Sequence, residues 1–306
     1  MTNPIYSIAV CNFNMADTLE PSLRSMVNQI PEDDYEVVVV DGGSTDGSRD
    51  ILRSLEAEYP NLRAILDRAD ECNHLGGDRN ISFEEARGEY VLESMDTDDC
   101  YFEGIVRDFV SIYHQIESVV DYPYFLSGTG INMAPRKLLL DVPYYDLGGA
   151  EDRDLYRRLF VRDTPLWIDH GPISEEIGYH MNWRDELRRD IHGKICDFQS
   201  GITLASALRW SLSHERHWIL ERNRGFILNT LKKPYDLFTH CYAYWKANGR
   251  EHHDAPPSFE RKGTLEQKIA EVKKTLPDLE SAYGFEVDRE SFSEAGYEAF
   301  VEYAEP

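Results

Sequence analysis

The chain has 306 residues, of which 32 are basic and 56 acidic, for a formal net charge of −24, and it is 42% hydrophobic and 12% aromatic. That apolar content excludes general disorder, and the length allows one large domain or one of about 200 residues with an appendage. The charge excludes broad contact with nucleic acid or anionic lipid, so a phosphate-bearing ligand has to be held by a metal and local donors.

The basic residues comprise 9 Lys and 23 Arg. Acidity with few Lys is the composition of a salt-adapted protein, whose own repulsion destabilises it at low salt. Cys11, Cys72, Cys100, Cys196 and Cys241 are odd in number and lack CxxC spacing, which points to free thiols in a reducing, cytoplasmic compartment. The start, MTNPIYSIAV, has neither a basic flank nor a long apolar run, so no signal peptide is expected. No unbroken apolar window reaches about 18 residues, so no membrane-spanning helix is expected.

Ile5 to Val10 reads as a strand, and Leu19, Leu23 and Met26 or Val27 recur at helical spacing over Thr18 to Gln29. Tyr35 to Val40, YEVVVV, is apolar throughout, as in an inner strand of a parallel sheet. It ends at Asp41, and Gly42 and Gly43 permit a tight turn before a helix over Ser48 to Glu58. A strand over Leu62 to Leu66, a helix over His74 to Arg87 and a strand over Glu89 to Met95 follow. This alternation predicts a doubly wound α/β sheet with ligands at the carboxyl ends of its strands. Further on, Leu166 to Asp169 and Ile173 to Tyr179 read as strands. Helices are expected over Ala205 to Leu220, Phe226 to Asn248 with an interruption near Pro234, Leu265 to Leu276 and Ser291 to Tyr303. Glu251 to Ser258 reads as a linker or exposed loop. The aromatics Tyr235, Phe238, Tyr242, Tyr244 and Trp245 suggest a helix–helix core more than a sugar platform.

The last strand of the first half ends in Asp96, Asp98 and Asp99. On an extended segment Asp96 and Asp98 point the same way, close enough to share a hard cation such as Mg2+ or Mn2+. The plainer reading is a solvated acidic turn.

Asn12-Phe13-Asn14, VVVVDGGSTDGS, GGDRN, A-x-G-E-Y and the DTDD tip, followed by Gly149-Ala150-Glu151-Asp152 ahead of a helix with Arg157, Arg158 and Leu159, together resemble the family 2 glycosyltransferases of GT-A fold. The match runs in order through roughly the first 180 residues. It implies a Rossmann-like, mostly parallel sheet in a catalytic domain over residues 1–182. The nucleotide-sugar half would fill about 1–100, the acceptor half about 101–182, and a mainly helical extension 183–306. Many relatives carry Pro and Tyr where this chain has Cys11 and Phe13, so one nucleotide contact differs, although Phe13 keeps an aromatic face.

The resemblance further implies an inverting, metal-dependent transfer of a sugar from a UDP- or GDP-linked donor to an acceptor hydroxyl. The acceptor would be a glycan, a lipid-linked carrier or a protein, in surface glycan, glycolipid or glycoprotein assembly, with peripheral docking at the cytoplasmic face of a membrane where the acceptor is lipid-linked. Cys11, Phe13, Asp41, Arg79 and Asp96 would contact the nucleotide. Asp98 would bind Mn2+ or Mg2+ with help from Asp96 and His180, while Asp99 supports from behind and His170 is a rival ligand. Asp152 would be the general base. The bland alternatives are a helix cap at Asp41, at Glu151 and at Asp152, and a surface ion pair of Arg79 with Asp78 or Glu84. Rival functions are a nucleotidyltransferase of similar sheet, whose basic Gly-rich signature is missing after the first strand, and a domain that only binds sugar nucleotides.

Overall fold

The run YEVVVV forms β2 (Tyr35–Asp41), buried along its whole length as a strand covered on both faces requires. In this computed structural model, which describes residues 4–29, 31, 33–178, 182–212 and 226–304, β2 is flanked by β1 (Tyr6–Asn12) and β3 (Leu62–Ile65). β4 (Tyr90–Glu93) lies on the far side of β1, and all four run parallel. The helices α1 (Ala16–Val27), α2 (Ser48–Glu58) and α3 (Leu75–Glu85) fall where the apolar periodicity puts them, with Leu19, Leu23, Leu52 and Leu55 buried. The chain winds outward from β1 to β3 and then returns to the other side, which opens a crevice at the carboxyl ends of β1 and β4.

The strand expected over Glu89 to Met95 stops at Glu93, because Ser94 turns into the left-handed region at φ 66°. Asp96 and Asp98 therefore sit on a loop, and the alternation of an extended strand is not what aligns them. Residues 99–150 carry no strong sequence period, yet they form β5 (Asp99–Tyr101), α4 (Ile105–Glu117), β6 (Phe125–Ser127), β7 (Asn132–Pro135) and α5 (Arg136–Asp141). Strands of three or four residues are too short to display a pattern. α6 (Glu151–Phe160), β8 (Pro165–Ile168) and β9 (Ser174–Glu176) follow. Of the strand expected over Ile173 to Tyr179, Ser174–Glu176 form β9, which leaves the main sheet to pair with β5, and Tyr179 lies outside the described residues.

The last third contains α7 (Trp183–Gln199), α8 (Leu204–Leu212), α9 (Phe226–Ala247), α10 (Thr264–Val272), β10 (Lys273–Lys274), α11 (Leu276–Tyr283) and α12 (Glu294–Phe300). The eight-stranded sheet runs β10-β8-β6-β7-β4-β1-β2-β3, with β7 antiparallel to both neighbours. The single helix expected over Leu265 to Leu276 is divided: Lys273 turns extended, β10 joins the sheet edge, and Thr275, capping the amide of Asp278 ahead of Pro277, starts a new helix. α9 runs through Pro234 without interruption, since packing along α7 and α8 offsets the lost backbone bond. Part of the helix expected over Ala205 to Leu220 lies outside the described residues.

The α9 aromatics are also not core. Phe238 and Trp245 are 71% and 64% exposed, whereas Ala243 and Ala247 are buried. Small residues let α7 approach closely and turn the rings outward. The C-terminal elements nevertheless return to the sheet. Phe300 lies in the main core with residues of β1 and β2, and the Ser293 amide donates to Asp108 of α4 at 2.9 Å.

Candidate active site

At the crevice, the loops after β1 and β2 are tied together. Asn12 donates to Asp41 Oδ2 at 2.8 Å and to Ser44 Oγ at 3.1 Å, while the Asn14 amide donates to Ser44 Oγ at 2.8 Å. Asp41 Oδ1 accepts the amides of Gly43 and Ser44 at 3.2 and 2.9 Å. Asp41 is thus wholly buried, with Oδ1 holding the turn and Oδ2 taking a single bond from Asn12. Phe13 stands at the mouth with 60% of its surface exposed, its face open to a flat ligand. Cys11 is partly exposed among the charges of Arg79, Asp78, Glu93 and Asp96, and desolvation pushes its thiol up to about 12.

Across the crevice the loop from β4 to β5 gathers the three acids. Oxygens of Asp96, Asp98 and Asp99 all lie within 4.8 Å of one another. Asp96 is the exposed member, but protein around its carboxyl pushes it up to about 6, with Arg79 opposing the shift and Asp98 and Asp99 adding to it. Burial also raises Asp99, which accepts a hydrogen bond from Ser174. Carboxylates crowded in this way want a cation, and an all-oxygen donor set suits a hard divalent one.

The third side is the start of α6. Ala150 adopts a left-handed conformation, φ 61°, and delivers Glu151 and Asp152 to the first turn, where the helix dipole favours negative charge. Glu151 is 5% exposed, and desolvation together with the charge of Asp152 pushes it up to about 7 against the pull of Arg79. Asp152 is partly exposed. Arg79 lies between the two acidic groups. Its guanidinium is 3.0 Å from Glu93 and 3.7 Å from Glu151, stacks over Tyr144, and acts on the charge of Asp96. It reaches this place because the first turn of α3 contains Gly76, where any side chain would start 2.0 Å from the Tyr145 carbonyl oxygen. No ion pair with Asp78 or Glu84 forms among the described residues.

A model of the family described as "Glycosyl transferase family 2" matches residues 7–161. This chain belongs to glycosyltransferase family 2. Among curated relatives, Glycosyltransferase AglE of Haloferax volcanii is 33% identical over 212 residues, 69% of this chain and 61% of that protein. Cholesterol galactosyltransferase of Borreliella burgdorferi is 30% identical over 149 residues, 47% of this chain and 39% of its own. A Poly(ribitol-phosphate) beta-glucosyltransferase of Bacillus spizizenii is 38% identical over 94 residues, 30% of this chain and 14% of its own. The matches span less than two thirds of each relative. Of solved structures, mannosyltransferase PcManGT of Pyrobaculum calidifontis, in complex with GDP-Man and Mn2+, aligns at TM-score 0.52 and 18% identity over 89% of this chain and 80% of that one. TarS 1–349 of S. aureus with UDP-GlcNAc aligns at 0.51 and 18% over 79% and 81%. At such identity these two speak for the GT-A fold alone.

The crevice brings together Cys11, Phe13, Asp41, Arg79, Asp96 and Asp98. His170 is elsewhere engaged: Nδ1 donates to the Gly171 carbonyl at 2.7 Å and Nε2 accepts the Thr129 amide at 2.9 Å, leaving no lone pair for a metal. His180 lies outside the described residues. The sequence reading missed Glu93, which is buried and accepts from Arg79, Tyr144 and Asn132 at 3.0, 3.0 and 2.6 Å. Its signal was a lone acid at the end of an apolar strand, where a charge needs partners. Among the described residues no helix is long and apolar enough to cross a membrane.

Proposed function

We propose that this glycosyltransferase is an inverting, metal-dependent enzyme that transfers a hexose from a UDP- or GDP-linked donor to an acceptor hydroxyl. The observation that carries this is Arg79, whose contacts with Glu93 and Glu151 and whose effect on Asp96 join the acidic loop and the start of α6 into one site. Asp98, with Asp96 and Asp99, would hold Mn2+ or Mg2+, and His180 is a further ligand candidate. The ion's contribution when bound is to offset the charge of the diphosphate leaving group. Phe13 stacks on the base, Asp41 accepts from a base N–H, Cys11 and Asp96 contact the nucleotide beside them, and Arg79 faces the diphosphate with the donors its ion pairs leave free.

Asp152, more open than Glu151, takes the proton of the acceptor hydroxyl, so that attack from the face opposite the diphosphate inverts the anomeric carbon. One relative's name specifies cholesterol and another's poly(ribitol-phosphate). The acceptor here is correspondingly proposed only as a hydroxyl on a glycan, lipid or protein carrier, and a lipid-linked one would be reached by docking at the membrane surface. Calorimetry of UDP and GDP with Mn2+ and with EDTA tests the reading, together with Asp98→Asn. Binding that needs the metal and weakens in the variant supports it; equal affinity under all conditions removes the metal from the mechanism.

A further inference from the structure

We propose that His74, His192 and Cys196 form a site for Zn2+, seated over Gly148 and separate from the carboxylate loop. It does not depend on the nucleotide-sugar reading of the crevice. His74 immediately precedes α3, while His192 and Cys196 stand one turn apart on one face of α7. His192 Nε2 lies 3.7 Å from Cys196 Sγ. Tetrahedral zinc, with bonds of about 2.0 Å to nitrogen and about 2.3 Å to sulfur, sets such a pair about 3.6 Å apart, so the two already have the required bite. His74 faces the ring of His192 edge-on, with centroids 6.4 Å apart.

All three donors converge on Gly148. A side chain there would begin 2.7 Å from His192 Nε2 and 3.3 Å from His74 Nδ1, and the Gly148 backbone hydrogen-bonds the Cys196 sulfur. The missing side chain leaves a hollow bounded by two imidazole nitrogens and a thiol, and the exposed His74 has room to turn its ring inward. Burial, with the charges of Arg250 and His74, keeps His192 neutral and able to ligate. Burial pushes the Cys196 thiol up to about 11. The metal displaces that proton to solvent and binds the thiolate. The nearby charges of Asp197 and Glu151 favour a cation here, against that of Arg250. Two nitrogens and a sulfur select zinc over Mg2+ and Mn2+, which prefer oxygen, and the fourth position is left to water. Since Gly148 leads through Gly149 and Ala150 to Glu151 and Asp152, a bound ion fastens the approach to α6 onto α7 and the loop before α3.

The experiment is a titration of the metal-free protein with Co2+, a spectroscopic stand-in for Zn2+, with Mg2+ in excess to keep the carboxylate loop occupied. A thiolate ligand gives cobalt an intense near-ultraviolet absorption that carboxylates do not. One equivalent should raise this band in the wild type, and Zn2+ should abolish it by displacing the cobalt. Cys196→Ser should remove it. His74→Ala should weaken Co2+ binding by at least about 10-fold, the loss that even an outer partner of a metal ligand produces. Gly148→Ala, which fills the hollow and pushes His192 aside while keeping all three ligands, should weaken it likewise. A folded wild type without the band, a band that persists in Cys196→Ser, or wild-type affinity in either His74→Ala or Gly148→Ala overturns the site and leaves the reading of the crevice untouched.

Discussion

An acidic crevice and a single buried acid flank α6, and their carboxylates behave in opposite ways. In the crevice, burial raises Glu151 to about 7, protein around the carboxyl of the otherwise exposed Asp96 raises it to about 6, and Arg79 is the cation that opposes both shifts. On the other side, Asp197 of α7 is as deeply buried as Glu151, and burial alone would raise it as well. Arg153 at 3.2 Å, Lys262 at 2.5 Å and Arg157 at 3.5 Å overturn that and hold it well below the usual carboxylate range. The difference lies in where a chain with few basic residues puts them. Three cations secure the helix to the C-terminal region, while the crevice is left short of positive charge. A deficit of that kind is what an incoming divalent cation can relieve.

The largest test of the comparison is Asp152→Asn, which keeps the shape of the crevice side of α6 but cannot accept a proton. Turnover should fall about 100- to 10,000-fold, the usual contribution of a general base, with donor and metal affinity retained. Steady-state kinetics beside nucleotide calorimetry separates the two. Loss of nucleotide binding, or transfer at an ordinary rate, would make Asp152 a helix-capping residue.

On the opposite face, Asp197→Ala leaves Arg157 and Lys262 without their shared partner in a buried place. The expected cost is about 3–5 kcal/mol of folding stability, the range for breaking a buried ion pair. Urea unfolding measures it. At low denaturant the folded protein should still bind nucleotide, since Asp197 itself lies on α7 and bonds to none of the crevice loops among the described residues. A loss under about 1 kcal/mol would mean that the cations find other partners and that the two faces differ less than their contacts suggest.

Much of the crevice was legible because its residues lie beside strong local signals. Asp41 follows an all-apolar strand, Asp96 and Asp98 interrupt another, and Glu151-Asp152 begins a helix. The clamp was not legible, because Arg153 and Asp197 are 44 positions apart and nothing local links an acid in α7 to a base in α6. Glu93 and Asn132 meet only through the antiparallel pairing of β4 with β7, a four-residue strand without a readable period. The aromatic face of α9 was misread for a related reason. Composition reveals that a helix carries rings and small residues, but which of them face inward is decided by how closely its neighbour packs.

Glu151→Gln sharpens the comparison through pH. The folded protein binds the Glu151 proton more tightly than the unfolded chain, whose carboxyl titrates near 4.5. Stability from this group is therefore present at low pH, declines as pH rises from about 4.5 to 7, and is lost above that. Glutamine cannot ionise, so the variant should escape the decline and be more stable than wild type at pH 8 by about 3 kcal/mol, against less than about 1 kcal/mol near pH 5. Asp197 predicts the reverse slope at the acid end, where stability falls as protonation frees its cations. Melting curves from pH 3 to 8 on both proteins measure the two limbs. Parallel curves for wild type and Glu151→Gln would show that Glu151 is ionised throughout.

The smallest effect is that of salt, and it should distinguish the two regions without any substitution. A net charge of −24 repels itself over distances of about 10 Å at 0.1 M salt, and screening shortens that reach to about 3 Å at 1 M. The gain should come from exposed acids, including those at the mouth of the crevice, because buried pairs such as Arg157–Asp197 are shielded from the solvent ions that do the screening. Raising KCl from low concentration to molar should therefore move the melting midpoint upward by a few degrees, equivalent to about 1 kcal/mol for a chain of this size. The clamp's own contribution, taken as the difference between wild type and Asp197→Ala, should stay nearly constant across the series. A flat or falling midpoint would mean that surface repulsion is not what limits this fold. A clamp difference that shrinks with salt would place Asp197 in contact with solvent ions, and the contrast between the two faces of α6 would then be one of composition rather than of burial.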